Sequence, residues 1–377
     1  MALPSVETGN RTTFNDQDDH ILDIERGIKF LNPRDNGIKF VRKLITNRGS
    51  NVAKSFKHEW VETALPTRKE TVTITDIATT LTVAASAGYQ VNDLIQIESE
   101  IVRVTALASA TTLTVVRGYA GTTAAAHTSK VAYNLGSAAP QGSLAPAGTS
   151  LNSDKLYNYV QTFDRSVDLS KDEIAQMSAE MGNPFNAQLE RITLYFWKLF
   201  AQAVFYGTRY EDATNKIHVM GGINNFLTTN VYNVGGAVSL TAIDTAILAI
   251  VTAGGTPDVM VMSPTQKQKL DALDASLVRL GKRERMGGSQ NIQTWQSGVL
   301  DYTLDVLVDH TIKTDELYIL DSSLIELTPL VNNGVNGALG VEDATTPGAD
   351  SKKKVLRAKY TLVFRLQAGM AKLYGLS

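Results

Sequence analysis

Glu98 and Glu100, two apart in a stretch of strand-like alternation, are the first pair whose types and spacing could do chemistry. On one strand they would project from the same face, as the paired carboxylates of a glycosidase might. With no aromatic platform nearby, the plainer expectation is a solvated β face. Asp301 and Asp305 read in the same way, as charges on an exposed strand edge that discourage unwanted pairing. The five histidines, His20, His58, His127, His218 and His310, have no ligand-like spacing and read as surface or packed side chains rather than a metal site or a general base. Cysteine is absent, which removes disulfides, thiol catalysis, thiolate zinc and iron–sulfur clusters together. No P-loop, dinucleotide glycine fingerprint, His-Glu-x-x-His helix, nucleophile elbow or EF-hand loop occurs in the chain. The sequence thus offers no catalytic residue, no metal ligand set and no cofactor site.

Contact chemistry is easier to find. Lys282, Arg283 and Arg285 form one basic cluster, and Lys352, Lys353 and Lys354, followed by Arg357 and Lys359, form another. Either could touch phosphate or a neighbouring subunit, and as charge runs they read first as solvated loops. Phe56, Trp60 and Leu65, around Glu59 and Glu62, make an apolar and acidic strand suited to a core or to a contact surface.

These side chains are positioned by a chain of 377 residues, enough for two or three compact units at about 150 residues each. Hydrophobic residues make up 43% and charged residues 20%, a composition that folds. With 36 Lys and Arg against 38 Asp and Glu the formal charge is -2, so any nucleic-acid contact must be local. The opening MALPSVETGN lacks the basic and apolar regions of a secretory signal, and a cytosolic origin is expected. The most apolar stretch, Ala242 to Ala253, is interrupted by Asp244 and Thr245 and is too short to span a bilayer.

The first fifty residues are polar and irregular, and read as an arm held against a neighbour. From Thr71 to Val131, alternation at Val72/Ile74, Leu81/Val83, Ile95/Ile97, Val102/Val104 and Leu113/Val115 predicts short strands with one buried face. The hexapeptide Ala-Thr-Thr-Leu-Thr-Val occurs at Ala78–Val83 and again at Ala110–Val115, which suggests two similar hairpins packed together. The run from Gly136 to Gly148 closes this β-module as a loop. Ser170 to Glu173 has capping-box spacing and starts a short helix to about Met181. A long helix from Pro184 to Tyr206, ended by Gly207, would span roughly 34 Å at 1.5 Å per residue. Beyond it, a helix from Thr241, a strand over 258–262, a helix from Pro264 to about Ala275, strands near 304–308 and 317–320 and a final strand over 355–366 describe an α+β domain. The final strand is expected in a sheet laid along the long helix.

The order of these parts, with Trp60 to Pro66 opening the β loop, Tyr206-Gly207, Met220 to Ile223, Met262 to Lys267, Tyr318 to Asp321 and Ala368 to Leu376, resembles the major capsid proteins of tailed bacteriophages. Their fold is the Hong Kong 97 type, and the group most similar is that of the major head protein of phage SU-ten. The resemblance implies an α+β shell subunit with an arm at 1–55 and an extended loop at 56–150 that carries the β-module at about 71–136. It further implies a peripheral domain at 151–216 with its spine helix at 184–206, an axial domain at 217–330 and closing peripheral strands at 331–377.

It also implies no catalysis, no metal and no cofactor. The implied role is self-assembly as pentamers and hexamers into an icosahedral or related head enclosing double-stranded DNA, contacted weakly and non-specifically. Scaffolding, portal and decoration proteins are the further partners it allows, with no membrane. The implied location is the virion capsid, assembled in the bacterial host cytoplasm. Phe56, Trp60, Leu65, Lys282, Arg283, Arg285, Lys352, Lys353 and Lys354 are the inter-subunit contact candidates. Two alternatives stand beside this one: the shell of a cellular nanocompartment with the same fold, and a phage glycan-binding or glycan-degrading protein built on the Thr-rich module.

Overall fold

From Ile38 onward the N-terminal segment loses its polar character. Phe40, Val41 and Leu44 fall on one face of helix α1 (Lys39–Thr46) and are buried. The Phe40 ring lies 5.5 Å from that of Phe205, and Lys43 reaches Asp258 at 3.1 Å and Asp305 at 3.4 Å. Within the segment assigned to the arm, these residues therefore pack into the subunit's own core. The computed structural model describes residues 38–46, 51–63, 69–145, 148, 153–175, 184–274, 294–301, 303–332, 335–336 and 339–377, with backbone alone at 273, 274, 332, 335 and 336. Two compact units result, residues 61–156 and the remainder of the chain. Strand β1 (Lys57–Glu62) pairs with a later strand, Asp154–Tyr159, so the chain between them leaves and returns at one place.

The smaller unit is a six-stranded antiparallel sheet of β2 (Lys69–Ile74), β3 (Thr80–Thr82), β4 (Asp93–Ile97), β5 (Glu100–Leu107), β6 (Thr112–Tyr119) and β7 (His127–Ser137). Its strand order is β2-β7-β4-β5-β6-β3. All five of the alternating pairs read from the sequence turn inward and make its core. The repeated hexapeptide does not close two hairpins. Its two copies are β3 and β6, paired antiparallel with Leu81 opposite Leu113, so that the amide of Val83 bonds Thr111 and the amide of Val115 bonds Thr79 in a locally two-fold arrangement. Like sequences meet because threonine outside and leucine inside suit both sides of the same ladder.

The larger unit resumes with β8 (Asp154–Tyr159), β9 (Gln161–Ser170) and α2 (Lys171–Ala175), where Ser170 Oγ accepts the Glu173 amide at 3.2 Å as its cap. The rest of the helix expected to Met181 lies outside the described residues. Helix α3 (Pro184–Tyr206) matches its expected span. Phe200 packs 5.0 Å from Phe163 and 5.3 Å from Tyr360, laying the helix on a sheet. There follow β10 (Tyr210–Asp212), β11 (Ile217–Val219), α4 (Ile223–Phe226), β12 (Val231–Gly236), α5 (Leu240–Thr252), β13 (Val259–Met262) and α6 (Pro264–Asp274). After these come β14 (Thr294–Trp295), β15 (Leu304–Val308), β16 (Leu317–Leu320), β17 (Ile325–Pro329), β18 (Val331–Asn332), β19 (Val335–Asn336), β20 (Gly340–Asp343), β21 (Ser351–Phe364) and β22 (Ala371–Leu376).

Two sheets organise this unit. In the first, β21 is central, with β9 along one edge and β17 and β20 along the other; this is the sheet under α3. The second runs β12-β22-β16-β13-β15-β14 and is mixed. Its middle strands, Val-Met-Val-Met and Leu-Tyr-Ile-Leu, are buried on both faces. Val259, Val261, Tyr318 and Leu320 join the core beneath α3, while Met260, Met262, Leu317 and Ile319 join a second core covered by Ile243, Ile247 and Ile250 of α5. Asp301 and Asp305 do not share a strand face. Asp301 precedes β15, and Asp305 sits on an interior strand where Lys43 compensates it. Among the described residues no helix is long and apolar enough to cross a membrane.

Candidate contact surfaces

Glu98 and Glu100 are not a solvated pair. Glu98 occupies the β4–β5 turn with φ 52°, whereas Glu100 begins β5 and is 1% exposed. Nε and Nη2 of Arg117 each donate to Glu100 at 2.7 Å, and the amides of Gly118 and Ala125 donate at 3.0 and 3.2 Å. His127, itself buried, sits between the two carboxylates, Nε2 at 3.0 Å from Glu100 and Nδ1 at 3.0 Å from Glu98. Lys130 closes the chain at 2.6 Å from Glu98. Burial alone would raise the Glu100 pKa, but Arg117, the two amides and His127 outweigh it and hold the carboxyl at about 2. Glu98 is held below its ordinary value by Lys130 and His127. The other arm of Arg117 reaches the carbonyls of Thr75 and Ala78 after β2, and Nη2 also reaches Ala125 at 2.6 Å. The cluster therefore ties the β2–β3 and β6–β7 connections to β5. Neither Arg117 nor His127 stood out in the sequence, because their spacing from Glu100 has meaning only in a closed sheet.

The short motifs that carried the resemblance are junctions in the larger unit. Tyr206, the last residue of α3, and Tyr318 donate to Oε2 of Glu316 at 2.7 and 2.8 Å, while Lys372 donates to Oε1 at 2.8 Å. Burial would raise Glu316, yet Lys372 and the two phenols bring it below its ordinary value. Burial and the Glu316 bond raise both tyrosines. A Cβ on Gly222 would lie 2.6 Å from the carbonyl oxygen of Val204, so only glycine lets that turn meet the end of α3. Buried Asn158 bonds both the amide and the carbonyl of Gly221, at 2.8 and 3.0 Å, and the carbonyl of Leu362 at 2.7 Å. Ser263 caps α6 through the Gln266 amide at 3.3 Å, and Gln266 Nε2 reaches the Thr314 carbonyl at 2.8 Å. A lysine and a glutamate flanking otherwise apolar strands were the available signal for the Glu316–Lys372 pair.

Of the contact candidates, Phe56 is 40% exposed and stacks on His218 with ring centroids 5.1 Å apart. His218 in turn lies 5.6 Å from Tyr159, and Tyr157 is flanked by Lys57 at 4.4 Å and Arg209 at 4.2 Å. Trp60 is buried against Phe226 at 5.9 Å. Lys352, Lys353 and Lys354 are not in a loop but in β21, where period-two geometry divides them between faces. Lys352 and Lys354 lie 5.4 and 5.7 Å from the Phe185 ring centre, and Lys353 is 4.0 Å from Asp168. Leu65, Lys282, Arg283 and Arg285 lie outside the described residues. Among the described residues no group of three His, Asp or Glu side chains is disposed to hold a metal ion.

The family model of the SU10 major capsid protein matches residues 6–377. The chain belongs to this family. It is accordingly a structural protein of a capsid shell, and its place is the capsid of a virion. A structure described as the capsid of a native GTA particle is similar at a TM-score of 0.57 and 7% identity, covering 98% of this chain and 100% of that one. The asymmetric unit of the cyanophage A-1(L) capsid gives 0.46 and 15% identity over 64% of this chain and 84% of that one. The SrpI encapsulin of Synechococcus elongatus gives 0.45 and 10% over 60% and 78%. A search among curated proteins returns no match. At such identities the likeness is one of fold, and the fold is the Hong Kong 97 type expected from the sequence. The family assignment takes precedence over the nanocompartment and glycan-binding alternatives.

Proposed function

We propose that this SU10-type capsid protein assembles as pentamers and hexamers into a head that encloses double-stranded DNA, without catalysis and in the host cytoplasm. The observation that carries this reading is the extent of the family match, which runs from residue 6 to residue 377 and takes in arm, loop, spine and axial segments together. The arm is residues 1–55, the extended loop 56–150, the spine-bearing peripheral domain 151–216, the axial domain 217–330 and the closing strands 331–377. A formal charge of -2 suits a wall that must surround nucleic acid without gripping it.

Contacts between copies fall first on Phe56, Trp60 and Leu65, on Lys352, Lys353 and Lys354, and on Lys282, Arg283 and Arg285. Scaffolding, portal and decoration proteins are partners of the assembled shell. Symmetry-resolved electron microscopy of the shells tests the reading, with five and six subunits expected around the local axes and nuclease-resistant DNA inside particles from infected cells. Rings of another order, or shells that never hold DNA, would contradict it.

A further inference from the structure

His127 is buried in the small β-unit with a carboxylate at each ring nitrogen, Glu100 3.0 Å from Nε2 and Glu98 3.0 Å from Nδ1. A neutral imidazole has one N–H to donate and one lone pair, so it can satisfy only one of two carboxylates. Its lone pair would then face the charge of the other. Both contacts are hydrogen bonds only when both ring nitrogens carry protons. The two carboxylates differ in what else holds them. Glu100 is buried and keeps Arg117 of β6 and the amides of Gly118 and Ala125 whatever the ring does. Glu98 is 47% exposed on its side chain, and Lys130 of β7, at 2.6 Å, is equally open to water. From β2 the residue opposite His127 is Ile74, which does not titrate.

We infer that His127 is a proton-operated pin: with two ring protons it ties the β4–β5 turn to β7, and with one it stays on Glu100 and lets Glu98 go. The last proton belongs on Nε2, because Glu100 is buried and cannot turn to water for a substitute donor. Glu98 can do so, since its carboxylate is half open to solvent. The backbone favours the same outcome. Glu98 sits at φ 52°, in the left-handed region that side chains with a Cβ rarely adopt, and release of the carboxylate removes one of the contacts that hold it there. Rising pH therefore loosens the turn at residues 98 and 99, while Arg117 and Glu100 keep the β5 and β6 strands together.

The test follows the ring and the turn together in unassembled full-length subunits. Nitrogen-15 in the histidine rings reports the protons on His127, whose signals are identified by their shift in Glu98→Gln. Amide hydrogen exchange, taken relative to the intrinsic rate at each pH, reports the turn. The titration starts at about pH 5 and rises until the ring gives up a proton. Both nitrogens should be protonated at the start, and Nδ1 should be the one that is bared. Protection of the turn amides should fall at least about threefold in step with that loss, with β6 unchanged. In Glu98→Gln the side-chain amide can accept from an N–H or donate to a bare nitrogen, so the turn should stay protected in both ring states. A turn that keeps its protection while His127 loses a proton overturns the inference. So does an equal fall in Glu98→Gln, or a ring that holds a single proton from the start.

Discussion

The phenol of Tyr206 donates to Glu316 across 2.7 Å although 110 residues separate them in sequence. Through this bond the end of helix α3 is joined to the residue that leads into β16, and the Glu316–Lys372 ion pair at 2.8 Å carries the connection on to β22. A buried pair of this kind gains its value from completeness, since every partner is satisfied by another in the cluster.

Removing one member should therefore cost more than the bond itself. Glu316→Gln leaves Lys372 buried without its counter-charge and should destabilise the subunit by about 3 kcal/mol. Tyr206→Phe should cost about 1–2 kcal/mol. Because the two share one network, the double variant should cost less than the sum. Urea unfolding of unassembled subunits measures all three, and strict additivity would contradict the network.

Acid should weaken the small β-unit through Glu100. Its folded pKa of about 2 lies below the ordinary 4.5, so it contributes stability above pH 4.5 and loses it as the pH falls from 4.5 towards 2. A shift of that size is worth about 3 kcal/mol. Hydrogen-exchange protection at β5 and β6, taken relative to the intrinsic rate at each pH, should fall across that interval. In Glu100→Gln the same amides should be less protected at neutral pH and respond less to acid.

Gly222→Ala puts a methyl against the backbone carbonyls of Val204 and Ala203, neither of which can swing away. A loss of about 1–3 kcal/mol is expected. Gly148→Ala, where the added carbon meets nothing within 4 Å, should leave the melting temperature almost unchanged. Equal effects at the two positions would show that the turn does not need its close approach.

The small unit should be separable. Its two ends are tied by the β1–β8 ladder and by the hydroxyls of Thr63 and Ser153, which are 2.6 Å apart. Replacing residues 64–152 by a short glycine-rich link should leave the larger unit folded, with a cooperative thermal transition by circular dichroism. Loss of that transition would mean that the two units depend on one another for folding.

Much of this was legible in the sequence where local pattern and tertiary environment agree. Helix α3 has apolar residues at helical spacing over its whole length, and the strands of the small unit alternate cleanly. The misreadings came where distant residues decide. Glu100 reads as solvated until Arg117 and His127 are brought to it. Three consecutive lysines at 352–354 read as a loop, yet β9 and β20 pair their backbone and a strand sends them to opposite faces. Phe40, Val41 and Leu44 were hidden in a polar segment because three apolar residues make only one helical stripe.

The most direct test of the central claim is the assembly state of the purified full-length protein, by electron microscopy together with light scattering for mass. Closed particles, or pentamers and hexamers that convert to them, are predicted. A monodisperse monomer or dimer at every salt and protein concentration would contradict the account.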